Sequence, residues 1–230
     1  MDNGFSFRRA LPVAAFLIAS ALAVLSPGRA AMGADAPPSA TALQELLDKQ
    51  AIAEVMMTYC RAIDHLDEEL LRSVFHPDSR HNHGFVGPSS APGAKGEPGK
   101  PGDFVGYALG VLTSMTRTHH QLGNIFIEVH GDVAYTEAYF TAYHRMRAKG
   151  DPKAASNAYD TEMDLFVAGR YMDRMEKRNG VWKIARRTAT TDWQRIDPPS
   201  AMSYSGVPPE LRSLQSREDF VYRRREVYGD

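Results

Sequence analysis

The chain has 230 residues, of which 43% are hydrophobic and 24% are charged, and its formal net charge is −1 at pH 7. Length and composition indicate a globular protein with one domain or two small domains. A net charge this close to zero gives no electrostatic basis for binding nucleic acid, so we expect no nucleic-acid partner. Cys60 is the only cysteine, which excludes an internal disulfide and is typical of a small buried hydrophobic residue.

The N-terminus has the pattern of a secretory signal. Arg8 and Arg9 precede an apolar run over residues 10–25, and small residues follow at 30–36. A positive segment, a short apolar segment and a small-residue cleavage region are typical of an export signal, and the paired arginines resemble the twin-arginine type. The run is shorter than the ~20 apolar residues of a spanning helix. We therefore expect residues 1–36 to hold the signal peptide and its cleavage region, with the mature protein starting between Ala31 and Pro37. We expect the mature protein to be periplasmic, without stable membrane insertion.

Helical periodicity dominates the chain after this segment. Apolar residues recur at steps of three and four over residues 43–63, which predicts a long amphipathic helix that begins with a capping box at residues 41–44. The stretch 87–102 is rich in Pro and Gly and predicts a surface loop. Apolar residues on one face of 104–115 predict a further helix.

From His120 onward the hydrophobic period changes to two, which predicts strands. The predicted strands cover residues 125–129, 133–146, 159–177 and 181–193. Asn179-Gly180 is typical of a tight hairpin turn. Helices followed by long antiparallel strands indicate an α+β domain, here residues 37–196 with a tail at 197–230. We expect a curved antiparallel sheet, a cone-shaped α+β barrel, closed by the N-terminal helices around an apolar pocket.

The residues that suggest catalysis are a histidine at the start of a predicted strand and an aspartate at the end of the first helix. In such a pair the Asp64 carboxylate fixes the tautomer of the His120 imidazole and stabilises its positive charge, while the imidazole moves a proton. His119 competes with His120, because adjacent strand residues face opposite sides. His81 and His83 alternate onto one strand face, but their spacing matches no established zinc pattern, so we expect neither a metal nor a cofactor.

Three segments carry a family resemblance. The Y-x4-D pattern of residues 59–64, the pattern that begins with His120 and runs to residue 134, and residues 169–184 together resemble the SnoaL-like, polyketide-cyclase-like branch of the nuclear transport factor 2-like superfamily. Within this branch the chain is most similar to cofactor-free lyases: hexachlorocyclohexane dehydrochlorinase, scytalone dehydratase and bile-acid 7α-dehydratase. The resemblance implies their fold, and it implies catalysis by side chains.

The resemblance also implies roles for four residues. Asp64 and His120 correspond to the catalytic aspartate and histidine of these lyases, and Tyr59 corresponds to an active-site tyrosine of bile-acid dehydratase. Arg187, rather than its neighbour Arg186, corresponds to a catalytic arginine on the last strand. A regular helix places Tyr59 and Asp64 some 140° apart at ~100° per residue, so both reach one pocket only if the helix loosens.

The expected function is a cofactor-independent lyase that uses the Asp-His dyad for a dehydratase-type elimination or a carbon–carbon cleavage. Phe126, Tyr139 and Phe166 suggest a small apolar substrate that is aromatic or polycyclic. One alternative is a ketosteroid-isomerase-like isomerase in which Asp64 itself moves the proton. Another is a non-catalytic ligand-binding or assembly module. The expected partners are the small-molecule substrate and further copies of the chain, in a homodimer or homotrimer.

Overall fold

A computed structural model describes residues 39–83, 104–199 and 206–229. The export segment at 1–36 and the loop at 87–102 lie outside these residues. The helices are α1 (Ala40–Asp64), α2 (Glu68–Ser73), α3 (Phe104–Thr113) and α4 (Phe220–Tyr228), with one 3-10 turn at Pro209–Leu211. The strands are β1 (Phe75–His83), β2 (Met115–His130), β3 (Val133–Met146), β4 (Met163–Arg178) and β5 (Val181–Asp197). In these described ranges no helix has the length and apolar character needed to cross a membrane.

Helix α1 confirms the long amphipathic helix, but its capping differs from the prediction. The side chain of Ser39 accepts a hydrogen bond from the backbone N–H of Ala42 at 3.1 Å, so the cap lies before the predicted box at residues 41–44. The helix ends at Asp64, and the side chain of Asp67 then caps α2 by accepting from the backbone N–H of Leu70 at 3.1 Å. The end of α1 and the Asp67 cap of α2 place Asp64 at the tight junction between the two helices.

The five strands form one sheet in the order β1-β5-β4-β3-β2. Strands β2 to β5 are antiparallel, as predicted, but β1 pairs with β5 in parallel. The sheet is therefore mixed and not purely antiparallel. It is curved but open, and not a closed barrel, because β1 and β2 are edge strands at opposite sides. Helices cover one face of the sheet and bury its apolar side chains, so closure of the strands is not needed to exclude water from the core.

Turns and bulges shape the sheet. Asn179 and Gly180 have φ values of 54° and 79°, which confirms the predicted hairpin between β4 and β5, since the favoured two-residue turn needs positive φ at both positions. The pairing register of β2 and β3 shifts between Gly123 and Phe126, where Asn124 has a φ of 46°. Such irregularities bend a strand and increase its twist. The bend follows His120 on the same strand.

Helix α1 is anchored to the sheet by a buried aspartate. The Asp48 carboxylate accepts from the indole N–H of Trp182 at 2.8 Å and from the ammonium of Lys177 at 2.8 Å. Burial favours the neutral acid, but these bonds outweigh it and lower the pKa of Asp48. Ile52 and Met56 follow on the same helix and are completely buried in the core. The anchored helix thereby carries its last residue, Asp64, to strand β2.

Candidate active site

A cavity of about 110 Å³ lies between α1, α3 and the sheet. Most of its wall is apolar, and its aromatic side chains are Tyr59, Phe104, Tyr107, Phe140 and Tyr171. Three histidines, His83, His120 and His144, also line it. A mostly apolar cavity with a few converging polar groups is the usual form of a small-molecule site.

His120 and Asp64 are hydrogen-bonded at the edge of this cavity. The Nδ1 of His120 lies 2.7 Å from the Oδ1 of Asp64, and the two side chains are 7% and 16% exposed. The backbone N–H of His120 donates to the other carboxylate oxygen at 2.8 Å. His119 is exposed on the opposite side of the strand, as the alternation of side chains predicts. The structure therefore brings the predicted dyad together across more than fifty residues of sequence.

Three donors keep the Asp64 carboxylate ionised. Burial favours the neutral acid, but the His120 ring, the charge of that ring, the His120 backbone N–H and the Thr118 hydroxyl together lower the pKa of Asp64 below its ordinary value. A carboxylate can only accept hydrogen bonds, so the Nδ1 of His120 carries the proton of this bond. The other ring nitrogen, Nε2, is then the one with a free lone pair, which is the arrangement that a general base requires.

His144 is a further histidine of the site that was not predicted from the sequence. Its ring meets that of His120 edge-on, with 5.0 Å between ring centroids, and its Nδ1 has no hydrogen-bond partner. Burial, reinforced by the charge of His120, lowers the pKa of His144 to about 3. His144 is therefore neutral at neutral pH and can offer a hydrogen bond without competing for the proton. No local pattern marks it, because its position follows from the register that pairs it with Thr118.

Tyr59 lines the cavity although α1 remains a regular helix to Asp64, so the expected loosening is not required. The cavity is reached by the Tyr59 ring directly, whereas Asp64 reaches it through His120. Burial raises the pKa of the Tyr59 phenol to about 12, against the opposing effect of the Arg187 charge. The phenol is thus a hydrogen-bond donor at neutral pH and not a base.

Arg187 does not line the cavity, contrary to the direct role that the resemblance implies. Its guanidinium binds both oxygens of Asp173 at 2.7 and 2.6 Å, and neither side chain is exposed. The guanidinium carbon lies 4.1 Å from the ring centroid of Tyr59 and 4.4 Å from that of Tyr171. Arg187 is therefore behind the cavity wall and contacts it through these two rings. Arg186 is exposed.

The remaining residues of interest are the lone cysteine, Cys60, and the histidines of β1. Burial raises the pKa of the Cys60 thiol to about 12, which keeps the sulfur protonated. The rings of His81 and His83 stack on Phe104, with ring centroids 4.1 and 4.5 Å away. Asp78, on the same strand, pairs with Arg178 at 2.7 Å. Over the part of the chain that the structure describes, no cluster of three or more His, Cys, Asp or Glu could hold a metal ion.

The three aromatic residues that suggested the substrate class lie outside the cavity. Phe126 and Tyr139 are 61% and 43% exposed, and Phe166 contacts Tyr143 and Arg195 outside the cavity. Aromatic alternation fixes which residues share a face, but it does not say which face is buried. The cavity is lined by other aromatic side chains, and these three are not among them.

Thr118 and Gln215 complete the polar surroundings of the dyad, and neither was singled out from the sequence. The Thr118 hydroxyl donates to Asp64 at 2.9 Å, and the side-chain amide of Gln215 donates to the Thr118 hydroxyl at 3.2 Å. Thr118 could have been found from the strand pattern, since it lies two residues before His120 on the same face. Gln215 could not, because it lies in the C-terminal tail.

The comparisons with known proteins agree with this architecture. The family model of the SnoaL-like domain matches residues 44–188.

A type 2 hexachlorocyclohexane dehydrochlorinase (LinA) has a similar structure, with a TM-score of 0.56 at 18% identity, covering 72% of this chain and 99% of that one. The type 3 LinA from Novosphingobium barchaimii LL02 gives a TM-score of 0.52 at 18% identity, covering 73% and 99%. The Kfla4162 protein from Kribbella flavida gives 0.53 at 19% identity, covering 66% and 95%. No curated protein matches the sequence. At these identities the similarity demonstrates a shared fold.

Proposed function

The chain belongs to the SnoaL-like family, and on this premise we propose that it is a cofactor-independent lyase. The observation that carries the proposal is the hydrogen bond between His120 and Asp64 at the wall of an apolar cavity. The similar LinA structures are those of dehydrochlorinases, which fits an elimination reaction. The favoured reaction is loss of water from a small, largely apolar alcohol.

His120 acts as the general base. Its Nε2 removes a proton from the carbon next to the one that bears the leaving hydroxyl. The C–H electron pair becomes the second bond of a carbon–carbon double bond, and the C–O bond breaks. The imidazolium returns the proton to the departing hydroxyl, which leaves as water. Asp64 stabilises the positive imidazole between these two proton transfers.

The phenol of Tyr59 and the ring of His144 bind the oxygen atoms of the substrate. Both groups line the cavity and both are neutral at neutral pH, for the reasons given above. Hydrogen bonds to an oxygen on which negative charge develops lower the barrier most in a buried site. Arg187 supports this role from behind the wall, because its charge favours any negative charge shared with Tyr59.

The volume of the cavity limits the size of the substrate. An apolar cavity of roughly 150 Å³ holds benzene, and the cavity here measures about 110 Å³. A molecule with one ring is therefore at the upper limit of this volume, and a polycyclic substrate requires a larger expansion of the cavity. We retain an aromatic or alicyclic ring as the substrate skeleton.

The isomerase alternative is less well supported by the geometry. In that scheme Asp64 itself would take the substrate proton, yet three donors bind its two oxygens and its carboxylate is not part of the cavity wall. The same bonds lower its pKa and make it a weaker base. A non-catalytic binding module would use the same cavity, and only turnover separates it from an enzyme.

The test is a panel of single-ring β-hydroxy ketones, of which 3-hydroxycyclohexanone is the first, followed by the ultraviolet absorbance of the conjugated ketone that elimination forms. His120→Gln is expected to lower kcat by roughly 10²- to 10⁴-fold, the usual contribution of a general base. His119→Gln is the matched control, since this neighbouring histidine is exposed, and it should keep full activity. Equal rates for the two variants would contradict the dyad mechanism. Tight binding without turnover of any compound would favour the binding module.

We also propose that the mature protein is periplasmic and forms a homodimer or homotrimer. Export is supported by the pattern of residues 1–36. Association is supported by the aromatic side chains on the outer sheet face, where Phe126, Tyr139 and Trp193 are 61%, 43% and 52% exposed. Sedimentation of the mature protein gives the number of copies, and a monomer at micromolar concentration would contradict the association.

A further inference from the structure

The C-terminal segment, residues 206–229, lies beyond the part of the chain that matches the family model, yet it is bonded to the candidate active site. The side-chain amide of Gln215 donates to the Thr118 hydroxyl at 3.2 Å, and that hydroxyl donates to the Oδ1 of Asp64 at 2.9 Å. The same oxygen lies 2.7 Å from the Nδ1 of His120. A continuous row of hydrogen bonds therefore runs from the tail to the dyad.

The direction of these bonds matters. A hydroxyl has a single proton, so a donor that occupies one of its lone pairs orients the proton toward the remaining acceptor. Gln215 is such a donor for Thr118, and Asp64 is the acceptor. Successive bonds of this kind polarise one another and strengthen by ~10–30% each. The amide of Gln215 thus favours both the orientation and the ionised form of Asp64.

The segment is held in place next to Gln215 by Asp219. This carboxylate accepts from the backbone N–H of Leu214 at 2.7 Å and caps α4 through the backbone N–H of Val221 at 2.9 Å. It lies 3.6 Å from the Nε2 of His65, the residue that follows Asp64. The turn that carries Gln215 is therefore tied on one side to α4 and on the other to the end of α1.

A second attachment joins the segment to the junction of α1 and α2. The hydroxyl of Tyr222 donates to Asp67 at 2.9 Å, the residue that caps α2. The guanidinium carbon of Arg61 lies 5.0 Å from the Tyr222 ring centroid, and the ring of His65 meets it edge-on at 5.4 Å. Residues on both sides of Asp64 are thus in contact with the same tail helix.

We infer that residues 206–229 are a positioning segment that completes the Asp64–His120 pair, with Gln215 as its positioning residue. The inference rests on the proposed function, because it assumes that this pair is the reactive one. Gln215 donates to Thr118 and is not among the residues that line the cavity, so the hydrogen bonds carry its effect to the imidazole through Thr118 and Asp64.

Two substitutions at Gln215 separate a directed hydrogen bond from simple packing. Gln215→Leu removes the donor, whereas Gln215→Glu keeps the size of the side chain and turns the donor into an acceptor. A glutamate there competes with Asp64 for the single proton of Thr118 and adds a negative charge. A packing role predicts a milder effect for Glu than for Leu, and the positioning role predicts the reverse order. Gln121→Leu, an exposed glutamine on β2, is the matched control.

The main readout is the Nδ1–H proton of His120 in nuclear magnetic resonance of the full chain with labelled histidine, identified by its absence in His120→Gln. Solvent exchange of this proton is expected to quicken by about 2- to 13-fold in Gln215→Leu, the range that one neutral hydrogen bond supplies. It should quicken further in Gln215→Glu and stay unchanged in Gln121→Leu. With an active substrate, kcat should fall in the same order while KM is unchanged.

The outcomes distinguish this inference from the proposed function. Faster exchange in the order Leu then Glu, without turnover of any compound, supports the positioning segment and counts against the lyase. Unchanged exchange in both variants overturns the inference even if the wild type is an active lyase. A smaller effect for Glu than for Leu also overturns it, because packing would then account for the result.

Discussion

The buried ion pair of Arg187 and Asp173 offers the sharpest test of how the cavity wall is supported. The two residues lie opposite each other on β5 and β4, and both side chains are completely buried. Arg187→Met keeps an unbranched apolar side chain of similar length and removes the charge. Asp173 is then left as a buried carboxylate without the partner that binds both of its oxygens.

The expected loss of stability follows from this geometry. Removing one partner of a buried pair costs about 3–5 kcal/mol, because the remaining charge is desolvated and unpaired. The guanidinium also lies over the rings of Tyr59 and Tyr171. In the variant, contact of the methionine sulfur with these rings contributes only ~0.3–1.5 kcal/mol in place of the guanidinium contact. For a domain of this size, 1 kcal/mol corresponds to roughly 2–4 °C in Tm, so the variant should melt roughly 6–20 °C below the wild type.

Urea unfolding followed by circular dichroism measures the free energy of unfolding of each variant. Asp173→Leu should also be destabilised, and the double variant should lose less than the sum of the two single losses, since no charge is left unpaired. Arg186→Met, on the same strand and exposed, is the control and should stay within about 0.5 kcal/mol of the wild type. A loss below about 1 kcal/mol for Arg187→Met, or additive losses in the double variant, would refute a supporting ion pair.

Two further predictions concern packing and pH. In Gly169→Ala the new Cβ would lie 1.9 Å from the backbone oxygen of Thr190, so we expect the free energy of unfolding in urea to fall by about 3 kcal/mol or more. The control is Gly110→Ala, whose new Cβ meets open space. An equal loss in the control would contradict a steric cause. The pKa of His144 is about 3 in the folded protein, below its ordinary value of 6.5, so the unfolded chain binds more protons below pH 6.5. This contribution to stability is complete above pH 6.5 and is lost toward pH 3, by up to about 1.4 kcal/mol per pH unit. Between pH 7 and pH 5 the wild type should therefore lose more free energy of unfolding than His144→Gln does. An equal loss in the two proteins would count against a neutral buried histidine.

Much of the secondary structure could be predicted because it depends on local periodicity. The long first helix, the turn at Asn179-Gly180 and the strands of the second half follow from hydrophobic spacing and turn residues. The family segments led to Asp64 and His120, and the structure places the two side chains in contact. The α+β class and the family are confirmed. Catalysis by these residues stays a prediction.

What the sequence missed depends on contacts between distant segments. The parallel pairing of β1 has no local signal, because strand direction is set by where the chain re-enters the sheet. The resemblance selected Arg187 over Arg186, but the pairing of Arg187 with Asp173 behind the cavity follows from the register of β4 and β5. The outward position of Phe126 and Tyr139 likewise depends on which face the helices cover.

The sequence by itself determined the class of fold, the helix that ends in Asp64 and the strand that presents His120, since each follows from the spacing of neighbouring residues. Tertiary structure alone decided that His144 stands beside His120, that Arg187 supports Tyr59 from behind, and that Gln215 reaches Asp64 through Thr118. The physical reason is that register and sheet curvature act over the whole domain, whereas side-chain periodicity acts over a few residues.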